Sequence, residues 1–437
     1  MPKVKLLRST DTNFDAELAA LTESQGALDR AVIDAADAII AQIRKEGDAA
    51  LLSLTNRFDQ RAVESVGLLN VKREEWAAAK ARLPSQDYQQ LELAAERIRW
   101  FHEHQKQSSW SITDSLGNRV GQRVLPLDSV GVYVPGGKAS YPSSVLMNTL
   151  PAKVAGVQRI VMVTPAPNGV MNDWVLAAAE LAGVDELWTI GGAQAVAALA
   201  YGTESIRAVD KIVGPGNAYV AAAKRAVFGR VGIDMIAGPS EVLIITDGSV
   251  NPDWIAMDMF AQCEHDEMAQ AIVICDQTEY FEALQSSIER LLPNMARASI
   301  IEQSLSNRSA FILTCDLSES ARISNRLAPE HLELAVSDAT DLLEQIKHAG
   351  AIFLGAQSTE AVGDYCAGPN HVLPTSGTAK FSSPLGVYDF EKRSSVIDLS
   401  AQGATALGHC ASLLAEAEGL GAHAESARYR ILKTQPD

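Results

Sequence analysis

From about residue 122 onward the chain alternates short β-branched runs with Ala-rich helical runs, and this alternation constrains its fold more than any other feature. Residues 159–164 (RIVMVT) read as a buried strand, 174–182 as a helix, 186–190 as a strand and 193–201 as a helix. A strand over 211–213 and a helix over 217–228 complete this set. A second set follows, with strands at 241–246, 271–275, 310–314, 332–336 and 351–354 and helices such as 253–264 and 279–292 between them. Such an order packs as mostly parallel sheets with helices on both faces. Two α/β units are expected, divided near 234–240 (DMIAGPS). The first 110 residues read as helix, with Ile33, Ala36, Ile39, Ile40 and Ile43 on one face of 31–57 and a second helical stretch over 85–107. Residues 369–400 are poor in helix signals. An Ala-rich helix is expected over 404–432, as an arm that reaches a neighbouring subunit.

Charge and cysteine usage narrow the function. The 437 residues hold 37 Lys and Arg against 54 Asp and Glu, a formal net charge of −17. A sequence-independent nucleic-acid binder needs clustered cations to neutralise phosphates, and an anionic membrane surface needs them too, so neither partner is expected. The longest uncharged run, 187–203, falls short of a membrane span. The N-terminus is expected to carry no export signal. Five cysteines without a C-x-x-C pair fit free thiols in a reducing cytoplasm. A bound metal would then take His, carboxylate and amide ligands rather than a thiolate cluster.

Few residues can carry chemistry. His102 and His104 read as surface residues, His348 as a helix C-terminal cap, and His409 as uninformative, which leaves His265, His331, His371 and His423. Gln262 and His265 share a helix face at the end of QCEHDE, either as a metal pair or as a polar helix end. Glu330 and His331 follow Pro329 just before a strand. They read as a satisfied loop pair or as two proton-transfer groups. The loop 363–371 (GDYCAGPNH) brings Asp364 and His371 into a polar, turn-rich setting. Gly214-Pro215-Gly216-Asn217 and Gly191-Gly192 each follow a strand and open a helix, where phosphate can meet backbone N–H groups, yet neither is G-x-G-x-x-G. Cys263 and Cys366 show no sign of an activated thiol.

Taken in order, the segments VGVYVPGG (130–137), GGAQA (191–195), KIVGPGNAYV (211–220), DMIAGPSEVL (234–243), AQCEHDE (261–267), APEHLEL (328–334), GDYCAGPNHVLPTSGTA (363–379) and FSSPLGVYDFEKRSS (381–395) closely resemble the histidinol dehydrogenase family over nearly the whole chain. The resemblance implies oxidation of L-histidinol through L-histidinal to L-histidine with two NAD⁺ in succession at one zinc site. It implies zinc on Gln262, His265, Asp364 and a partner subunit's His423, with Glu330 activating water and His331 as general base. Ser240, His371 and Glu418 match positions that touch substrate, together with His331 and the four metal ligands. Tyr133, Gln194 and Asn217 match positions lining the NAD site. The implied fold is two incomplete Rossmann-like, aldehyde-dehydrogenase-like α/β domains, with a helical N-terminal region and an extended C-terminal helical arm. The expected division is an N-terminal extension 1–25, a zinc and catalytic domain 26–129 plus 238–384, an NAD-binding domain 130–237, and an arm 385–437. The arm would cross to the partner of a cytoplasmic homodimer, so that each active site is shared.

Overall fold

The computed structural model describes residues 3–23, 29–136 and 140–432. Gly137 of the 130–137 segment, residues 1, 2, 24 and 25 of the expected extension, and 433–437 of the arm lie outside the described residues. Along the chain the strands are β1 (Lys5–Arg8), β2 (Trp110–Thr113), β3 (Arg119–Pro126), β4 (Ser129–Tyr133), β5 (Arg159–Val163), β6 (Glu186–Trp188) and β7 (Lys211–Val213). There follow β8 (Gly232–Ile233), β9 (Glu241–Thr246), β10 (Gln270–Cys275), β11 (Ala310–Leu313), β12 (His331–Ala335), β13 (Ala351–Leu354) and β14 (Glu391–Asp398). One parallel sheet has the order β6-β5-β4-β7-β8, and a second has β1-β11-β10-β9-β12-β13. The α/β class expected from the alternation is what the chain adopts, with the two sheets meeting at the 234–240 link.

Both sheets are covered on two faces, which is why their strands read as unbroken apolar runs. Every residue of β9 and β10 is buried. Val242 and Ile244 face the side that holds Ile255, Met259 and Phe281, while Leu243 and Ile245 face Ile323, Leu327 and Leu332. In the first sheet, Ile160 and Met162 pack on one face and Val161 and Val163 on the other. Among the described residues, no helix is long and apolar enough to cross a membrane.

Several expectations fail for physical reasons. The first 110 residues are not all helix, since Lys5–Arg8 forms edge strand β1, parallel to β11 with Leu7 opposite Ile312. Four residues of mixed polarity carry no local strand signal. Their ladder comes from a segment some three hundred residues away; Val4, just before β1, enters one apolar layer and Leu7 of β1 the other. The helix expected over 31–57 is two helices, Arg30–Glu46 and Asp48–Phe58, because Gly47 takes a positive φ of 54°. The final helix is likewise two, Ala401–Ala417 and Gly421–Arg428, broken at Gly419 with φ 74°. A third sheet, the antiparallel β14-β3-β2, uses the exposed EKRSSVID segment inside the stretch expected to be irregular. His348 caps no helix: the preceding helix ends at Leu343, and the His348 N–H donates to Asn325 Oδ1.

Edge strand β1 gives a direct test of this packing. Leu7→Ala removes a side chain only 1% exposed and is expected to cost about 2–4 kcal/mol in urea unfolding. Leu6→Ala, at a side chain 39% exposed, is expected to cost under about 1 kcal/mol. Equal effects would show that β1 does not pack as described.

Candidate active site

The strand order of the first sheet reverses at β4: β5 and β6 run out on one side, β7 and β8 on the other. Ligands of open α/β sheets collect at the carboxyl ends of strands at such a reversal. A cleft of about 380 Å³ lies there. One wall is Gly214 to Asn217, which follow β7. The other is built at the amino ends of β9 and β12 in the second sheet. The link 234–240 runs along it, with Ser240 in the lining.

Glu330 and His331 enter this cleft because the chain is forced to turn before them. Pro329 disfavours helix in the residue before it, and Ala328 takes a left-handed conformation, φ 51°, to end the helix Leu317–Leu327. His331 then opens β12, beside β9, with His331 opposite Val242. The first residue of β9 holds both side chains by its backbone. The Glu241 N–H donates to Glu330 Oε2 at 2.9 Å, and His331 Nδ1 lies 3.1 Å from the Glu241 carbonyl oxygen. A carbonyl only accepts, so Nδ1 carries a proton, and when the ring is neutral Nε2 is the nitrogen that keeps a lone pair. Nε2 is buried without a hydrogen-bond partner, 3.4 Å from Asp364 Oδ1.

The electrostatics follow from carboxylates held away from water. Burial pushes the Glu330 carboxyl up to about 8, against the lowering effect of His331. Burial likewise pushes Glu360 up to about 7. Burial alone would depress His331, but Glu360, Glu330 and Asp364 surround it and raise it well above the usual imidazole range. Asp364 is also penalised by burial, yet His331, His371 and His265 hold it below the usual carboxylate value.

Glu360 is the residue that sequence reading missed. It lies on the short helix Glu360–Tyr365, four residues before Asp364, and that one-turn spacing was the available signal. His265, Glu360 and Asp364 each place a potential ligand atom within 4.8 Å of the others. Gln262, buried on the helix Pro252–Cys263, faces Glu360. Its amide is assigned from that partner: with Nε2 toward Glu360 it donates to both carboxylate oxygens, at 2.8 and 3.0 Å. Oε1 is then the amide atom left to bind a cation.

The structure thus gathers Ser240, Gln262, His265, Glu330, His331, Asp364 and His371 at one cleft, with Asn217 on its far wall. His371 Nδ1 lies 2.9 Å from the Asp364 carbonyl oxygen. Asn217 also caps the helix Ala218–Val227, accepting from the N–H groups of Tyr219 and Val220. Tyr133 and Gln194 are buried and do not line the cleft. Both stand beside Gly192 instead: its N–H donates to the Tyr133 hydroxyl at 3.0 Å, and the Gln194 amide packs against it. Glu418 and His423 are exposed on the C-terminal arm and do not line this chain's cleft. Burial pushes the Cys263 thiol up to about 11, so it holds no thiolate at neutral pH.

His102, expected at the surface, is fully buried behind the site. Its Nδ1 lies 2.7 Å from the Ile98 carbonyl oxygen and its Nε2 3.4 Å from Asn370 Nδ2. A polar helix gave no sign of this, because the partner comes from the loop that carries His371. Asn370 also donates to the Met147 carbonyl at 2.6 Å and accepts from Val372 N–H at 2.9 Å.

Comparison with known proteins follows this geometry. A family model described as histidinol dehydrogenase matches residues 23–431. The chain is 56% identical over 431 residues to a histidinol dehydrogenase from Dechloromonas aromatica, covering 99% of this chain and 100% of that one. It is 58% identical over 425 residues to one from Chromobacterium violaceum, covering 97% and 98%. The crystal structure of histidinol dehydrogenase from Elizabethkingia anophelis superposes with a TM-score of 0.92 at 33% identity, covering 98% of each chain.

Asn370→Ala would strand the buried Met147 carbonyl and the Val372 N–H together. It is expected to cost about 2–4 kcal/mol in chemical denaturation. A cost under about 0.5 kcal/mol would show that Asn370 does not brace the His371 loop.

Proposed function

The chain belongs to the histidinol dehydrogenase family and is an oxidoreductase, and from that premise we propose that it oxidises L-histidinol through L-histidinal to L-histidine with two NAD⁺ in succession at a zinc site. The observation that carries this reading is the Glu330–His331 pair hung on the Glu241 backbone, with His331 Nε2 unpartnered beside Asp364.

The donor set fits a zinc ion. Three carboxylates crowded out of water call for a cation, and the imidazole, amide and carboxylate groups suit a borderline metal. Gln262 Oε1, His265 and Asp364 would hold it, with His423 from a partner subunit. A zinc ion held there would supply a Lewis-acidic centre suited to nitrogen groups of the substrate, and NAD⁺ would supply the hydride acceptor. The cleft favours a cationic substrate over an anionic one. Its single Lys or Arg among the described residues, Lys224, is paired with Asp234.

The chain's own groups then act on protons. With its ring neutral, His331 Nε2 takes the alcohol proton as the C–H bond yields its hydride to NAD⁺, leaving the aldehyde. Glu330, in its ionised form, takes a proton from water as the water oxygen adds to the aldehyde carbon, while His331 Nε2 returns its proton to the former carbonyl oxygen, so the hydrate forms and the ring is free again. His331 takes the hydrate's hydroxyl proton as the second hydride leaves, giving the carboxylic acid. The Glu241 carbonyl fixes the ring so that Nε2 serves both times. Keeping the aldehyde in one cleft protects it from side reactions in water.

With limiting L-histidinol and excess NAD⁺, the zinc-loaded enzyme is expected to yield two NADH per histidinol. His331→Asn is expected to keep zinc and lose about 10²–10⁴-fold in turnover. A yield of one NADH, or near-normal turnover in the variant, would overturn the scheme.

The same reading makes the site composite. The arm and the antiparallel sheet expose Leu413, Leu414, Trp110 and Ile397, an apolar area suited to burial against a second copy. Glu418 and His423 would reach the partner's cleft from that arm. Mixing His423→Ala with Glu330→Gln subunits, each inactive alone, should restore about a quarter of wild-type activity through mixed dimers. No recovery after verified subunit exchange would rule out crossed arms.

A further inference from the structure

We propose that the buried Lys224–Asp234 ion pair is a positioning device for the nucleotide, clamping the Gly214 peptide so that the cofactor stands in reach of the substrate. The inference rests on the reading that Asn217 lines the NAD site, which would put NAD⁺ against the 214–217 wall.

Lys224 lies on the helix that Asn217 opens, and its side chain is 3% exposed. Asp234 is the first residue of the link between the two sheets, and its side chain is 1% exposed. Lys224 Nζ pairs with the Asp234 carboxylate and donates to the Gly214 carbonyl at 2.9 Å. The Gly214 N–H donates to Asp234 Oδ2 at 2.8 Å. Both backbone polar groups of one residue, Gly214, are therefore held by the two members of one ion pair.

That peptide is where β7 gives way to the cleft. Gly214 has φ 107°, and a Cβ there would collide with the Tyr133 carbonyl oxygen. Its orientation decides where Pro215, Gly216 and Asn217 stand. Asp234 belongs to the segment that also carries Ser240, and Gly238 of that segment donates to Thr375 Oγ1 at 2.6 Å. One ion pair thus ties the nucleotide wall to the substrate wall. Stability does not call for this arrangement, since buried ion pairs are commonly replaceable by apolar residues without loss. Hydride transfer does call for it, because a displacement of about 1 Å between reacting groups can cost about a hundredfold in rate. Lys224 is spent on Gly214 and Asp234, so it acts through the loop rather than on substrate.

The test is steady-state kinetics and nucleotide titration on the zinc-loaded full-length enzyme. Lys224→Met is expected to raise KM for NAD⁺ about tenfold or more, as loss of a charged hydrogen bond does. KM for L-histidinol and zinc content should stay within about twofold, the span of a site left untouched. Lys224→Arg should recover much of the loss. If Lys224→Met does not fold, Asp234→Asn serves, since it keeps an acceptor for the Gly214 N–H and removes only the charge; the same split between the two KM values is expected. The pair acting as one unit also predicts that the double variant is no worse than the weaker single one. An unchanged KM for NAD⁺, or an equal rise for both substrates, would overturn the clamp. Asn217→Ser separates the two levels because it keeps a helix cap while removing the amide. If it raises KM for NAD⁺ and Lys224→Met does not, the clamp alone fails. If neither does, the assignment of the nucleotide to this wall fails as well.

Discussion

The active site depends on one backbone position, Glu241 at the head of β9. Its N–H holds the Glu330 carboxylate and its C=O orients the His331 ring. Neither hydrogen bond depends on the identity of the Glu241 side chain, which accepts from the Ser376 N–H elsewhere. What they depend on is the register of two parallel strands, with His331 opposite Val242. A slip of one residue would turn His331 to the other face of the sheet. The apolar layers that bury Leu243 and Ile245 on one face and Val242 and Ile244 on the other forbid that slip. Hydrophobic packing thereby fixes the orientation of the His331 ring.

The second constraint is electrostatic. Glu330, Glu360 and Asp364 surround one imidazole in a place with little water. Such a cluster is costly with its charges unbalanced. It is a site arranged for cations, whether a metal ion, a protonated substrate or His331 itself. The chemistry read from the motifs and the charge distribution in space point the same way. Glu360 links the two constraints, since its backbone N–H is bound by Glu333 of β12 and its carboxylate orients the Gln262 amide.

Much of this was legible beforehand. The βαβ alternation gave most strands of both parallel sheets, though not the short edge strands β1 and β8, because fully covered strands and the helices between them differ in composition as well as in period. The motifs singled out Ser240, Gln262, His265, Asp364 and His371, which the fold brings to one cleft, and Glu330 beside His331 after a proline was legible as local geometry. Other features were hidden because their causes are not local. Lys5–Arg8 is a strand only because β11 lies beside it, and Glu391–Asp398 only because β3 does. His102 looked like a surface residue on a polar helix until the loop at Asn370 closed over it. Gly47 and Gly419 were visible in the sequence, but an isolated glycine does not announce whether it breaks a helix or is tolerated within one.

By itself, the sequence determined the α/β class, the family and most of the polar groups that meet at the cleft, because side-chain chemistry and apolar period are properties of single residues and short windows. Only the tertiary structure decided which of those groups meet. The spacing between Glu241, Gln262, Glu330 and Glu360 along the chain says nothing about distance in space. Sheet order and strand register bring them together, and those are set by burial summed over the whole core rather than by any one segment.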